Sequence, residues 1–186
     1  MPEDPSSRRD LLAEQATDYA LEHGLIGLSL RPLAAELGTS DRMLLYHFAD
    51  KDDLVATILR VSNDRSVAAL EALPTAADLA DGVRRLWQAL RQGRLEQCQR
   101  LYVEAAALGL FGQEPYASVV KEANDRWMAA LARHLEAAGC RREASTRTAN
   151  LVESVMVGLL LDQPLSEADV QARVVEDLAA ALSAAG

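Results

Sequence analysis

Apolar side chains recur along this chain at three- and four-residue spacings in one segment after another. Leu12, Ala16, Tyr19 and Ala20 fall at i, i+4, i+7 and i+8, which predicts a helix over residues 8–23 with one apolar face. Gly24 follows where a helix end favours a left-handed residue. Ser29 can cap a second helix that takes Pro32 in its first turn, where a missing N–H does no harm. Its inner stripe is Leu30, Leu33, Ala34 and Leu37, and Gly38 ends it after two turns. Ser40 can cap a third short helix, with Met43, Leu44 and Phe48 as the expected buried side. Asp50 and Asp53 have the spacing of a capping box for a fourth helix, whose stripe begins at Leu54, Val55, Ile58 and Leu59 and continues to about Leu73. Beyond Pro74, five more periodic segments are predicted at 76–92, 95–110, 115–138, 144–162 and 166–184. Residues 1–7, with two prolines and two serines, read as a frayed tail.

The fold class expected is therefore all-α, with about nine helices. Composition agrees: 49% of residues are apolar, 25% are charged and only 4% are aromatic, enough for a core and too apolar for disorder. Charge narrows the function. The net charge is −9, and residues 1–60 carry six Lys/Arg against eleven Asp/Glu. A protein that coats nucleic acid through a broad basic face is excluded, so any DNA contact must come from a few placed cations.

Residues 29–54 read SLRPLAAELGTSDRMLLYHFADKDDL. Two short helices joined by a glycine turn are the helix-turn-helix layout. The small residues Ala34 and Ala35 let the first helix pack closely on the second, and the second can enter a major groove about 12 Å wide. This segment resembles the TetR family of bacterial regulators through Ser29, Arg31, Leu33, Ala34, Gly38, Ser40, Leu44, His47, Phe48, Lys51 and Leu54. The motif resemblance covers about residues 10–60; beyond it only length and helicity match.

The resemblance implies residue roles. Arg31 would sit beside the groove. Ser40, Asp41 and Arg42 would open the recognition helix, with Arg42 placed for bidentate contact with a guanine edge. Tyr46 and His47 would lie at its far end near the sugar-phosphate backbone, and Lys51 would meet phosphate. The chain departs from the family in carrying Leu45 where a tyrosine is usual, with Tyr46 beside it. From the residues alone, Tyr46 can equally pack inward and His47 can be a partly buried hydrogen-bonding histidine. If Arg31, Arg42 and Lys51 read DNA, they should line one face with Arg8 or Arg9 nearby.

The resemblance also implies a domain over residues 8–53 for DNA and one over 54–186 for ligand binding and dimerisation, divided within the fourth helix rather than by a linker. Residues 150–161, NLVESVMVGLLL, are apolar on nearly every side and demand burial on both faces. Val155, Gly158 and Leu159, with Val174 and Leu178 of the stripe Val170, Val174, Leu178 and Leu182, are the expected homodimer interface, a four-helix bundle. The candidate pocket for an unknown small-molecule effector draws on Trp87, Cys98, Tyr102, Phe111, Tyr116, Trp127 and Met128. The expected partners are a palindromic DNA operator, that effector and a second copy of the chain.

Catalysis is not expected. His23, His47 and His134 stand apart, without metal-ligand or triad spacing, and there is no nucleophile elbow, phosphate loop or dinucleotide fingerprint. Cys98 and Cys140 form no CxxC, so neither metal nor cofactor is expected. The start MPEDPSSRRD lacks the apolar run of a signal peptide, and the run over 155–161 is too short for a membrane span, so a cytoplasmic location is expected and no membrane partner. The alternative reading is a helical protein-interaction module that no longer binds DNA.

Overall fold

The computed structural model of the chain describes residues 5–185. Among them it forms nine helices and no strand: α1 (Pro5–His23), α2 (Leu30–Glu36), α3 (Asp41–His47), α4 (Lys51–Glu71), α5 (Leu79–Leu90), α6 (Gly93–Leu110), α7 (Tyr116–Ala137), α8 (Arg142–Asp162) and α9 (Ala168–Ala185). The first begins at Pro5, earlier than the spacing predicts, because proline's fixed φ suits a first helical position. Of the tail expected over 1–7, residues 1–4 lie outside the described residues.

By its contacts the chain divides into two compact units. The first runs to Ser66 and takes in Gln97–Asn124; the second comprises Val67–Glu96 and the chain from Asp125. The division falls within α4, α6 and α7, each of which contributes residues to both units.

In the first unit the core gathers Leu12, Ala16 and Ala20 of α1, Leu33 and Ala34 of α2, Leu44 of α3, Phe48, and Leu54, Val55 and Ile58 of α4, with Leu101 and Ala105 of α6. The predicted stripes are thus found, with two exceptions. Met43 is 45% exposed rather than buried, because it stands about 100° round the helix from Leu44, the position that faces the core. Ala35 is exposed, so Ala34 alone makes the close approach.

Capping fixes the short helices. Ser40 Oγ accepts from the Met43 N–H at 3.3 Å. Asp50 Oδ1 accepts from Asp53 N at 2.8 Å, while the Asp53 carboxylate accepts from Ala49 N at 3.1 Å, a capping box displaced by one residue. Ser29 occupies the N-cap of α2 but makes no side-chain cap bond. Gly24 ends α1 with φ +83°, and a Cβ there would meet the Glu104 carboxylate oxygens at 2.9 Å. That carboxylate accepts from Leu25 N at 2.7 Å and Ile26 N at 3.1 Å, tying α6 to the α1–α2 turn.

The second unit is built from α5, α8, α9 and parts of α4, α6 and α7. Leu86, Leu90, Trp127, Leu131, Val152, Met156, Val175 and Ala179 lie in its core. There α5 packs along α9, and Arg84 joins Glu176 through three hydrogen bonds of 2.8–3.0 Å. Gly82 allows α5 to approach α7: a Cβ there would stand 2.8 Å from that of Ala138. Among the described residues no helix is long and apolar enough to cross a membrane, and no group of His, Cys, Asp or Glu could hold a metal ion.

Candidate nucleic-acid interface

Leu44 and Phe48 are buried at 0% and 1% exposure, and this anchors α3 by one side. The opposite side must then face outward. Asp41, Arg42, Leu45 and Tyr46 are all exposed, Tyr46 at 74%. Of its two possible roles, Tyr46 therefore does not pack inward. Arg42 and Tyr46 stand four residues apart and so share a helix face. Arg31 on α2, Ser40 at the cap and Lys51 at the first position of α4 are exposed as well. Leu45, where a tyrosine was expected, is 45% exposed and presents aliphatic surface in its place.

His47 is half-buried, its ring edge-on to that of Tyr46 at 5.1 Å between centroids. Its carbonyl oxygen accepts from Arg9 Nε at 3.1 Å. The same guanidinium reaches Asp53 and Thr57 at 3.4 Å and lies 4.9 Å from the centre of the Phe48 ring. Arg9 is thus directed into the α3–α4 elbow rather than spread on the outer face. Sequence reasoning gave it no such role, because its partners lie 38 to 48 residues away.

The electrostatics follow from which charges are already engaged. Among the described residues Arg31, Arg42 and Lys51 make no ion pair. The nearby acids are partly occupied: Asp50 and Asp53 hold caps, and Asp53 also meets Arg9. Asp41 sits in the first turn of α3, where a carboxylate suits the helix dipole. Elsewhere in this unit Arg65 is held between Glu14 and Asp18. A protein of net charge −9 thus leaves its helix-turn-helix cations unpaired while pairing others.

The candidate effector residues fall in both units. Cys98 is buried in the first, Tyr102 and Tyr116 are half-buried there, and Phe111 is 80% exposed, which does not suit an enclosed pocket. Burial, with the Asp52 and Glu104 carboxylates, pushes the Tyr116 hydroxyl up. Trp87 and Trp127 are core residues of the second unit, and Met128 is half-buried against them. Trp127 Nε1 donates to Glu153 at 2.7 Å, and burial raises that carboxyl although the indole bond lowers it.

The candidate dimer residues also separate. Leu159 and Leu178 turn into the chain's own core at 8% and 9% exposure. Gly158 is exposed, Val155 is half-buried, and Val174 is 38% exposed. Leu161 and Val170, at 57% and 43%, join them as apolar surface. The stripe of α9 splits because Val175 and Ala179, one residue along from Val174 and Leu178, take the core positions.

Residues 12–58 match the family model for bacterial regulatory proteins of the tetR family. No curated protein matches the sequence. Among solved structures, a transcriptional regulator from Rhodococcus sp. Rha1 is similar over 94% of this chain and 95% of its own, with TM-score 0.73 and 22% identity. The multidrug binding protein EbrR complexed with proflavin covers 92% of this chain and 99% of its own, with TM-score 0.67 and 22% identity. A chain from Saccharomonospora viridis in complex with choline covers 96% and 94%, with TM-score 0.65 and 21% identity.

Proposed function

We propose that this chain, whose residues 12–58 match the model for bacterial regulatory proteins of the tetR family, is a repressor of that family that binds a palindromic operator as a homodimer and is released by a small molecule. One observation carries the reading. A helix-turn-helix is held from behind by Leu44 and Phe48, while Arg31, Arg42 and Lys51 stand outward with no ion pair among the described residues. Exposed cations without a carboxylate partner are free to neutralise phosphates, which releases the counterions condensed on DNA. Arg42 then reads a base edge, Tyr46 and His47 approach the backbone, and Arg31 and Lys51 set register on phosphates.

Seven-residue α3 reads few bases alone, so two copies are needed, about 34–36 Å apart or a multiple of that. The surface supporting self-association is apolar: Gly158 and Leu161 of α8 with Val170 and Val174 of α9. Glycine at 158 leaves open space where another helix can come close. The effector would act by binding one spacing of the two reading heads better than another. Structural neighbours that hold proflavin and choline support a small-molecule effector here as well.

The test is a gel shift of the purified protein on DNA flanking its own gene at two salt concentrations. A specific, salt-sensitive shift that Arg42→Ala removes supports the regulator. No shift at low salt from a folded dimer overturns it and favours a protein-interaction module.

A further inference from the structure

Many arginines of this acidic chain are held by carboxylates. Arg9, Arg60, Arg65, Arg84, Arg85, Arg133 and Arg173 all form ion pairs. Around the start of α8, Arg141, Arg142 and Arg147 make no ion pair among the described residues.

Two of them border a cleft of about 330 Å³ within the second unit. Arg141, Arg147 and Thr148 bring polar groups to its lining, Leu79, Leu151 and Leu182 bring apolar ones, and Cys140 stands in its wall. No carboxylate is among the residues lining it. The volume lies within the roughly 300–1,000 Å³ of small-ligand sites, and such sites combine apolar walls with a few placed polar groups. A guanidinium group matches the two oxygens of a carboxylate in geometry as well as charge, and the cleft offers two. An ammonium ligand would meet repulsion from both arginines, and a neutral one would leave them as they are.

We infer that this cleft binds an amphipathic organic anion, its carboxylate on Arg141 and Arg147 and its aliphatic body against Leu79, Leu151 and Leu182. The site rests on no reading of the helix-turn-helix and stands or falls without DNA.

Cys140 supplies the reporter. Its thiol is half-buried beside the cleft, within 3.6 Å of Thr148 Oγ1, whereas Cys98 is 1% exposed and shielded from reagents. The full chain is titrated with octanoate in a calorimeter, and labelling of Cys140 by N-ethylmaleimide is followed by mass spectrometry with and without octanoate. Saturable binding is expected, with Cys140 protected. Arg141→Gln/Arg147→Gln should weaken binding by about tenfold, since hydrogen bonds to charged groups are involved. Arg141→Lys/Arg147→Lys should retain part of it, because charge survives while the fork is lost. Octylamine should neither bind nor protect. Both arginines are exposed and make no ion pair, so these variants should fold, which circular dichroism verifies. The inference is overturned if octanoate shows no saturable binding. It is equally overturned if the glutamine variant binds as tightly, or if octylamine protects Cys140 as well as octanoate does.

Discussion

Removing the Arg9 side chain tests how the recognition helix is held. Arg9 Nε donates to the carbonyl of His47 at 3.1 Å, at the open C-terminal end of α3. A hydrogen bond from a charged donor contributes about 1.5–3 kcal/mol, and a side chain left 38% exposed places this one near the lower figure. The guanidinium 4.9 Å from the Phe48 ring centre adds about 0.5 kcal/mol at such a partly wet position. The contacts of 3.4 Å to Asp53 and Thr57 are long and add little. Arg9→Ala should therefore cost about 2 kcal/mol in urea unfolding, read as a lower midpoint at unchanged m. DNA affinity should fall as well, by about tenfold if about 1.4 kcal/mol of that loss reaches the elbow in the bound state. Its salt dependence should not change, because Arg9 meets protein and not phosphate. A stability loss below about 0.5 kcal/mol would refute the clamp. A salt slope reduced by about one unit would instead assign Arg9 to phosphate.

Other substitutions separate other claims. Arg42→Ala should relax sequence choice in a gel-shift competition, whereas Lys51→Ala should weaken all sequences alike and lower the salt slope by about one; identical behaviour of the two would void the assignment. Gly82→Ala gains about 1 kcal/mol in helix propensity but drives a methyl to 2.8 Å from Ala138 Cβ, an overpacking cost of about 1–3 kcal/mol. A net loss of about 1 kcal/mol is expected, and a stabilised variant would show that α5 and α7 can part freely. Burial raises the Glu153 carboxyl above its ordinary 4.5, so the fold favours its neutral form. The stability this contributes is complete below the ordinary value and is lost as pH rises through the raised one. Glu153→Gln keeps an acceptor for Trp127 and cannot ionise, so its advantage over the native chain in urea midpoint should widen from pH 5 to pH 8; a constant gap would contradict the sign. For His134, burial lowers the imidazole and outweighs the hydrogen bond with Gly82, so stability present above 6.5 should be lost as pH falls through the lowered value, a loss His134→Gln should abolish in acid titration.

Helix order and the helix-turn-helix were legible because their causes are local. Gly24, Gly38, Ser40, Asp50 and Pro74 act through the backbone within a few residues of themselves. The inward set of α3 was legible only in part, since a seven-residue helix buries Leu44 but not Met43. What period alone does not settle is which of two apolar neighbours turns inward. Val174 and Val175 are alike in chemistry, yet only Val175 is in the core. Long-range polar pairings were opaque for another reason. Arg9 with His47 and Trp127 with Glu153 depend on how distant segments meet, and no spacing encodes that. The arginine-bordered cleft was invisible for the same cause, because an unpaired arginine looks like a paired one in a sequence.

The grip of Glu104 on the α1–α2 turn is made on main-chain N–H groups, not on side chains. Such a grip needs only an N–H at positions 25 and 26, which every residue but proline supplies, and is sensitive to the length and path of the turn. Side chains on the reading helices can therefore change without touching this attachment, and helix α6 can change elsewhere without touching the code. On the proposed function, operator preference and the mechanical seat of the head are, at this joint, separately variable: a different helix grafted between Ser40 and Phe48 should inherit the seat unchanged, whereas one residue inserted after Gly24 should unseat it.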